Sequence, residues 1–416
     1  WAELARRAFG LRGAPAAPRA AGQDAASWRD AYSKWARVSR EVGLGHAGGA
    51  PAEWIDAWHV ARRWLKKHAP DIDSSLNPPV KQASVDALQA YMGDLKIPSG
   101  SLGLWSVCDG QRAPMVSGVP LQQRLLRNDD RWASGLFGGY AVYDHEVSVV
   151  FLPLADALKL TETIHNMGGA FGRRGSMLAF ACSFNYTKFY CVDLSDLSVH
   201  AWRHDREGFE PMAPAGAGLL GWFTEFTRRL DSGVYQSALL KPERDLSFGI
   251  SVLPAAGPDL MRCVTRGVEV TASCVYMVEH PQGWTYRISF RLVGSAAERG
   301  FETCQLSERH WEIQEEGREP DHVRGEGVIG LYPILADGGW ILNRESDPYG
   351  QYGPRRKSGL QDGAFCYQSC SGRTASMRGT FGGEVTFVPG TRRRPTGEPF
   401  QARVQPFRLH VPEYMY

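Results

Sequence analysis

The spacing of apolar residues changes once along this chain, and that change limits what it can fold into. Up to about residue 245 apolar side chains recur at helical intervals, interrupted by short apolar runs. Trp54, Trp58, Ala61 and Leu65 form one such stripe, closed by His68, Ala69 and Pro70. Beyond Pro254–Gly257 the helical interval gives way to strict alternation, as in Val268–Val278 and Thr285–Val293, with turn residues about every ten positions. A length of 416 residues also exceeds one ordinary domain of ~150. The expected architecture is therefore multidomain, α+β followed by all-β. It starts with short helices, continues with a mixed domain over 50–245 and ends in a β-sandwich over 262–416.

Within that frame, Trp1, Leu4, Ala5, Ala8 and Phe9 repeat as a helix does. An Ala/Pro/Gly-rich stretch, Arg12–Ala26, follows it. Ser27 then reads as the N-cap of a helix carrying Trp28, Tyr32 and Trp35 on one side. Gly43–Ala52 reads as a linker. In the mixed domain Ser84 is expected to open a helix with Val85, Leu88 and Met92, and Leu219–Leu230 to form another. Val147–Pro153, Met177–Cys182 and Lys188–Val192 read as strands. No helix is expected in the sandwich, and the polar, Gly/Pro-rich Arg344–Gly363 (344–363) reads as a long inserted loop.

Composition excludes several function classes. With 43% hydrophobic and 22% charged residues, wholesale disorder is excluded. The 47 basic and 45 acidic side chains leave a net charge of +2, which does not suit a nucleic-acid binder. No apolar run reaches the ~18 residues of a membrane span, so no membrane partner is expected. The eight cysteines include no CxxC pair and read as buried thiols of a reducing, cytoplasmic or nuclear compartment. Residues 1–20 lack the apolar core of a signal peptide, and the chain opens on Trp1 without an initiator Met, so it reads as a fragment.

Five motifs in order mark the C-terminal part: Leu306-Ser-Glu-Arg309-His310-Trp311; Gly325-Glu-Gly327-Val-Ile-Gly330 with Tyr332-Pro333; Phe365-Cys-Tyr367-Gln-Ser369; Met377-Arg-Gly379-Thr-Phe381; and Phe407-Arg-Leu409. They resemble the ApaG domain, which implies an immunoglobulin- or fibronectin-III-like sandwich. Ile72-Asp-Ser-Ser-Leu76-Asn-Pro-Pro79, Leu104-Trp105 with Asp109-Gly-Gln111, and Gly135-Leu-Phe137-Gly138-Gly-Tyr140 are similar to the SUKH (Smi/Knr-type) domain over 50–245. Trp1-Ala-Glu-Leu4 and Ser27-Trp28-Arg29-Asp30-Ala-Tyr32, within 1–45, are similar to the last part of an F-box. This order resembles the F-box only protein 3-like family and its plant SKP-interacting relatives. The resemblance implies a non-catalytic substrate receptor of a cullin–RING (SCF) ubiquitin ligase, bound to a Skp-type adaptor. Trp1, Leu4, Trp28 and Tyr32 are the adaptor-contact candidates. A scaffold subunit held in a large assembly without target turnover is the alternative.

Other constellations carry less. Gly325-x-Gly327-x-x-Gly330 has the form of a dinucleotide fingerprint, but Pro333 cannot extend the helix that such chemistry requires. A tight turn accounts for these glycines; an anion loop of Arg324, Gly325, Gly327 and Gly330 is the other use, and Leu331 stands where ApaG relatives often carry an acid. His310 lies on the strand face opposite Arg309 and Trp311 and reads as structural. His200, His204 and Asp205 could share a metal only on a helix, whereas Leu197–Trp202 alternates like a strand. Cys366 and Cys370 lie ~13 Å apart along a strand, too far for one zinc. Arg392–Arg394 reads as a solvated turn, and Lys66 and Lys67 as complements to a helix C-terminus. No metal, cofactor or catalytic set is expected.

Overall fold

A computed structural model describes residues 1–11, 14–22, 24–41, 44, 51–95, 97, 101–112, 134–166, 175–203, 208–241, 246–350, 355–358, 363–372 and 377–416. The first helices are α1 (Ala2–Phe9), α2 (Trp28–Glu41), α3 (Ala52–His68), α4 (Pro70–Ser75), α5 (Gln82–Met92) and α6 (Gly103–Val107). Next come β1 (Gly139–Val142), β2 (His145–Phe151), α7 (Leu154–Asn166), β3 (Met177–Ser183), β4 (Phe189–Asp193), β5 (Val199–Arg203), β6 (Gly208–Pro211) and α8 (Gly218–Asp231). The chain then runs through β7 (Gln236–Lys241), β8 (Leu246–Ser251), β9 (Met261–Thr265), β10 (Val268–Tyr276), β11 (Trp284–Leu292) and α9 (Ala296–Arg299). It closes with β12 (Cys304–Glu315), β13 (Asp321–Glu326), β14 (Ile334–Ala336), β15 (Gly339–Leu342), β16 (Arg355–Ser358), β17 (Phe365–Ser371), β18 (Arg378–Pro389) and β19 (Phe400–His410). Two compact units result: unit 1 holds residues 1–139, 147–237 and 413–416, and unit 2 holds 140–146 and 238–412. Among the described residues no helix is long and apolar enough to cross a membrane.

Unit 1 is α+β. Strands β2 to β6 pair antiparallel in sequence order. All seven residues of β3 are buried, which explains its apolar run from Met177 to Cys182. The stripe of α3 buries Trp54, Trp58, Ala61 and Leu65, and Trp54 and Trp58 lie 5.9 and 6.1 Å from Phe223 of α8. Helix α3 stops at His68 because Pro70 is at the first position of α4, where its missing N–H costs nothing. Helix α5 begins at Gln82, two residues before the expected Ser84, with Lys81 as an N-cap that makes no side-chain bond. The expected strand through Pro153 ends at Phe151, and Leu154 instead opens α7, a helix that no local signal announces. Its first amide is capped from a distant segment, by Asp109 Oδ1 at 2.8 Å. Desolvation raises the Asp109 carboxyl pKa despite that bond.

The two residues after Asp109 are equally constrained. Gly110 has φ +69°, and a Cβ there would lie 2.2 Å from the Pro153 nitrogen, so only glycine fits. Buried Gln111 donates Nε2 to Ser75 Oγ (2.9 Å) and the Ser134 carbonyl (3.1 Å), while its Oε1 accepts from the amides of Leu136 (2.8 Å) and Phe151 (3.2 Å). One side chain thereby satisfies three backbone groups of two separate segments and the hydroxyl of a third.

Unit 2 is largely β. A four-stranded sheet runs β17-β11-β10-β9, and a second runs β16-β15-β14-β12-β18-β19 with β13 paired to β12; β1, β8 and β7 also pair in that order. Between the main sheets lie rings from both inner faces: Tyr286 is 4.6 Å from Phe381, Phe290 is 5.6 Å from Phe387, and Trp311 is 5.4 Å from Phe381. The immunoglobulin-like sandwich is thus present, in a chain that is multidomain α+β and all-β. Two readings need correction. The stretch 344–363 is not loop throughout, since β16 lies in it and pairs antiparallel with β15; residues 351–354 and 359–362 lie outside the described set. A helix also occurs where none was expected: α9 has a capping box, in which Glu298 N donates to Ser295 Oγ (3.3 Å) and Ser295 N to Glu298 Oε2 (2.7 Å).

Candidate interaction sites

The adaptor-contact candidates lie on α1 and α2. Helix α1 buries Ala5 and Phe9, which leaves Trp1 and Leu4 outward, 55% and 52% exposed. Helix α2 starts at Ser27 as expected: its Oγ accepts from Asp30 N (3.2 Å), and Asp30 Oδ2 accepts from Ala26 N (3.0 Å) and pairs with Lys34 (2.9 Å). The Lys34 hydrogen bond lowers the Asp30 pKa. From α2, Tyr32 reaches the Trp1 ring at 5.4 Å and the Phe9 ring at 5.6 Å. Arg29 lies over the Trp1 ring (5.8 Å), and Arg6 over that of Trp28 (5.3 Å). The structure thus brings Trp1 and Tyr32 together, with Leu4 exposed on α1 and Trp28 of α2 under Arg6 of α1. Such a patch, exposed aromatic and aliphatic surface edged by guanidinium groups, suits a protein partner.

The glycine motif of unit 2 is a hairpin end. Val328 and Leu331 exchange both backbone bonds (2.9 and 2.8 Å), and the two residues between them, Ile329 and Gly330, have φ +44° and +79°. Positive φ at both central positions defines a type I′ turn. Gly325 faces Arg309 across the β12–β13 ladder, where a Cβ would meet the guanidinium at 3.0 Å. That room lets Arg309 Nη1 donate to the carbonyls of Glu326 (2.8 Å) and Gly327 (2.7 Å). The amides of Gly327, Val328 and Leu331 are all spent on backbone carbonyls, whereas an anion nest needs successive amides turned outward. Arg324 is exposed on β13.

Beside this hairpin runs a groove of ≈ 290 Å³ lined by Glu308, Arg309, His310, Arg324, Glu326 and Glu384, among others. Its charges are mixed, which suits a polar segment of protein better than a compact anion. His310 is held between Glu384 (Nδ1 to Oε1, 3.4 Å) and His322 (Nε2 to Nδ1, 3.1 Å). Arg392 is more than a solvated turn residue. Its guanidinium lies 4.1 Å from the Tyr332 ring centroid and 3.0 Å from Glu326, while Tyr332 donates to Glu326 (3.1 Å). Burial, with Glu326 beside it, raises the Tyr332 pKa. The Arg309 clamp and this triad were not read from the sequence. The shared parity of Arg309 and Trp311, an arginine in step with a core residue, was the available signal.

The remaining residues disperse. His200 sits on β5 with Ser198 Oγ 2.8 Å from its Nε2, while His204 and Asp205 lie outside the described residues. Cys366 is buried and Cys370 partly so, both on β17. Burial pushes the thiols of Cys108 and Cys182 up to about 12. Lys66 donates to the Glu41 carbonyl at 3.3 Å.

Comparison with known proteins follows from this geometry. A family model described as the ApaG domain matches residues 278–340, which include the Arg309 clamp and the glycine hairpin. Protein ApaG of Xanthobacter autotrophicus is 35% identical over 118 residues, 28% of this chain and 87% of that protein. The chain belongs to the ApaG domain family. Its ApaG domain is joined to sequence that is similar to eukaryotic relatives well beyond it. F-box protein SKIP16 of Arabidopsis thaliana is 26% identical over 425 residues, 95% of this chain and 86% of that protein. F-box only protein 3 of Homo sapiens is 24% identical over 308 residues, 68% of this chain and 55% of that protein, so the chain spans about half its length.

Proposed function

We propose that the chain is a non-catalytic substrate-recognition subunit of an SCF-type ubiquitin ligase. In this reading residues 1–45 are the C-terminal part of an F-box, 50–245 a SUKH domain and 262–416 the ApaG domain. The observation that carries it is similarity along 95% of the chain to an F-box protein. The exposed Trp1 and Leu4 supply the surface on which a Skp-type adaptor docks, and the cullin–RING machinery follows the adaptor. The mixed-charge ApaG groove and unit 1 hold the target protein, whose modification then gains from raised effective concentration. Cytoplasm or nucleus is the compartment that suits these partners. The test is calorimetric titration of the purified chain with a Skp-type adaptor. Trp1→Ala with Leu4→Ala is expected to weaken binding by roughly 2–4 kcal/mol, as loss of hot-spot residues does. Absence of binding by the unsubstituted chain would sink the proposal.

A further inference from the structure

The last residues of the sequence, Glu413–Tyr416, belong to unit 1 and form neither helix nor strand there. They are seated in a groove in the manner of a bound peptide. Tyr416, only 4% exposed, has its ring 5.0 Å from that of Trp222, 5.3 Å from Phe226 and 5.7 Å from Tyr235, with Arg229 over it at 5.2 Å. Its hydroxyl donates to the Trp222 carbonyl at 2.8 Å, and burial holds that phenol well above its ordinary pKa. Trp222 also reads the main chain, donating Nε1 to the Met415 carbonyl at 2.9 Å. Lys188, 1% exposed, donates Nζ to the Tyr416 carbonyl at 2.9 Å, and Met415 N donates to Met212 O at 3.0 Å.

We propose that this groove of unit 1 is a receptor for a short peptide segment bearing an apolar residue followed by tyrosine, and that Met415 and Tyr416 occupy it in cis. Each contact is of the kind by which domains read peptides: a pocket for a ring, an acceptor for its hydroxyl and fixed partners for two main-chain carbonyls. Trp222 donates its indole N–H to Met415 and accepts from Tyr416 at its main-chain carbonyl, which fixes the register of the pair. Aromatic walls select a ring, and tyrosine gains over phenylalanine the bond from its hydroxyl to the Trp222 carbonyl. Tyr235 also lines a neighbouring cleft of ≈ 570 Å³ with Arg63, Lys67, His68 and Asp231, so a longer segment would meet charge of both signs there, Arg63 being paired with Asp231 at 2.7 Å. Because this segment is part of the same chain, its effective concentration is on the order of millimolar, and a partner must overcome it by local presentation or additional contacts. The receptor shares no residue with the Trp1 and Leu4 patch and does not depend on adaptor binding.

The test uses the full chain and a fluorescein-labelled peptide of sequence His-Val-Pro-Glu-Tyr-Met-Tyr, followed by anisotropy. Tyr416→Ala is expected to let the peptide bind on the order of tenfold or more tighter than the unsubstituted chain does, since the cis competitor is weakened. Adding Lys188→Met should remove that gain, as should replacing the last tyrosine of the peptide by alanine. A folded Tyr416→Ala chain that binds no tighter overturns the proposal. Should Tyr416→Ala not fold, hydrogen exchange of the unsubstituted chain decides. Exchange at the Met415 amide many-fold faster than at Cys191 in β4 supports an exchangeable segment, and equal rates overturn it.

Discussion

Gln111 shows how much a single buried amide can hold. Its Oε1 serves two backbone amides, so Gln111→Ala would strand the N–H groups of Leu136 and Phe151 away from water. The expected loss is about 2–4 kcal/mol in urea denaturation, and a change below ~1 kcal/mol would show that the site relaxes. Ile329 is the opposite case, a β-branched residue at φ +44° in the type I′ turn. Replacing it by glycine is expected to stabilise the chain by roughly 1 kcal/mol, although the side chain becomes smaller. A lowered denaturation midpoint for Ile329→Gly would mean that packing of the isoleucine outweighs its backbone strain.

At the scale of elements, helix α2 rests on its cap. Ser27→Ala removes the acceptor for Asp30 N and should cost about 1 kcal/mol, read as a lower urea midpoint with unchanged adaptor affinity if the patch is preserved. Elements whose instructions are local could be read from the sequence. The stripes of α1, α2 and α3, the cap at Ser27 and the alternation of β10 and β11 all lie within a few residues of the structure they specify. Helix α7 was not legible because its cap, Asp109, comes from another segment. Strand β16 was hidden in a polar stretch because pairing with β15, not apolar periodicity, defines it. The candidate sites divide in the same way. Trp1 and Leu4 could be picked out by type and position, whereas the Arg309 clamp depends on a glycine opposite it across a ladder. The seat of Tyr416 depends on residues some 190 positions away.

For the whole molecule, the perturbed carboxyls act in opposite directions on stability. Burial of Asp56 raises its pKa from 3.8 to about 6, against the pull of the Arg19 amide. The folded state therefore favours the protonated form, and the stability this gives is full below 3.8 and lost as pH rises toward about 6. Glu225 and Glu269 behave in reverse. Burial alone would raise them, but hydrogen bonds from Arg228 and Arg229 and from Arg291 and Arg262 outweigh it and leave both lowered. Their stabilisation is present above 4.5 and lost as pH falls below it. The expected profile of denaturation midpoint against pH rises with the glutamates below 4.5 and declines with Asp56 toward about 6, so its maximum falls where the two trends cross. Asp56→Asn should remove the decline on the neutral side, leaving the variant more stable than the unsubstituted chain at pH 7, and an unchanged slope between pH 4 and 6 would refute this assignment.

The clamp at the glycine hairpin has one further consequence. Arg309 grips Glu326 and Gly327 only by their carbonyl oxygens, groups that every amino acid carries. Such a grip reads no side chain: as long as Gly325 and Gly327 leave the hairpin room, the other side chains at its tip can drift over generations while its outline is handed down.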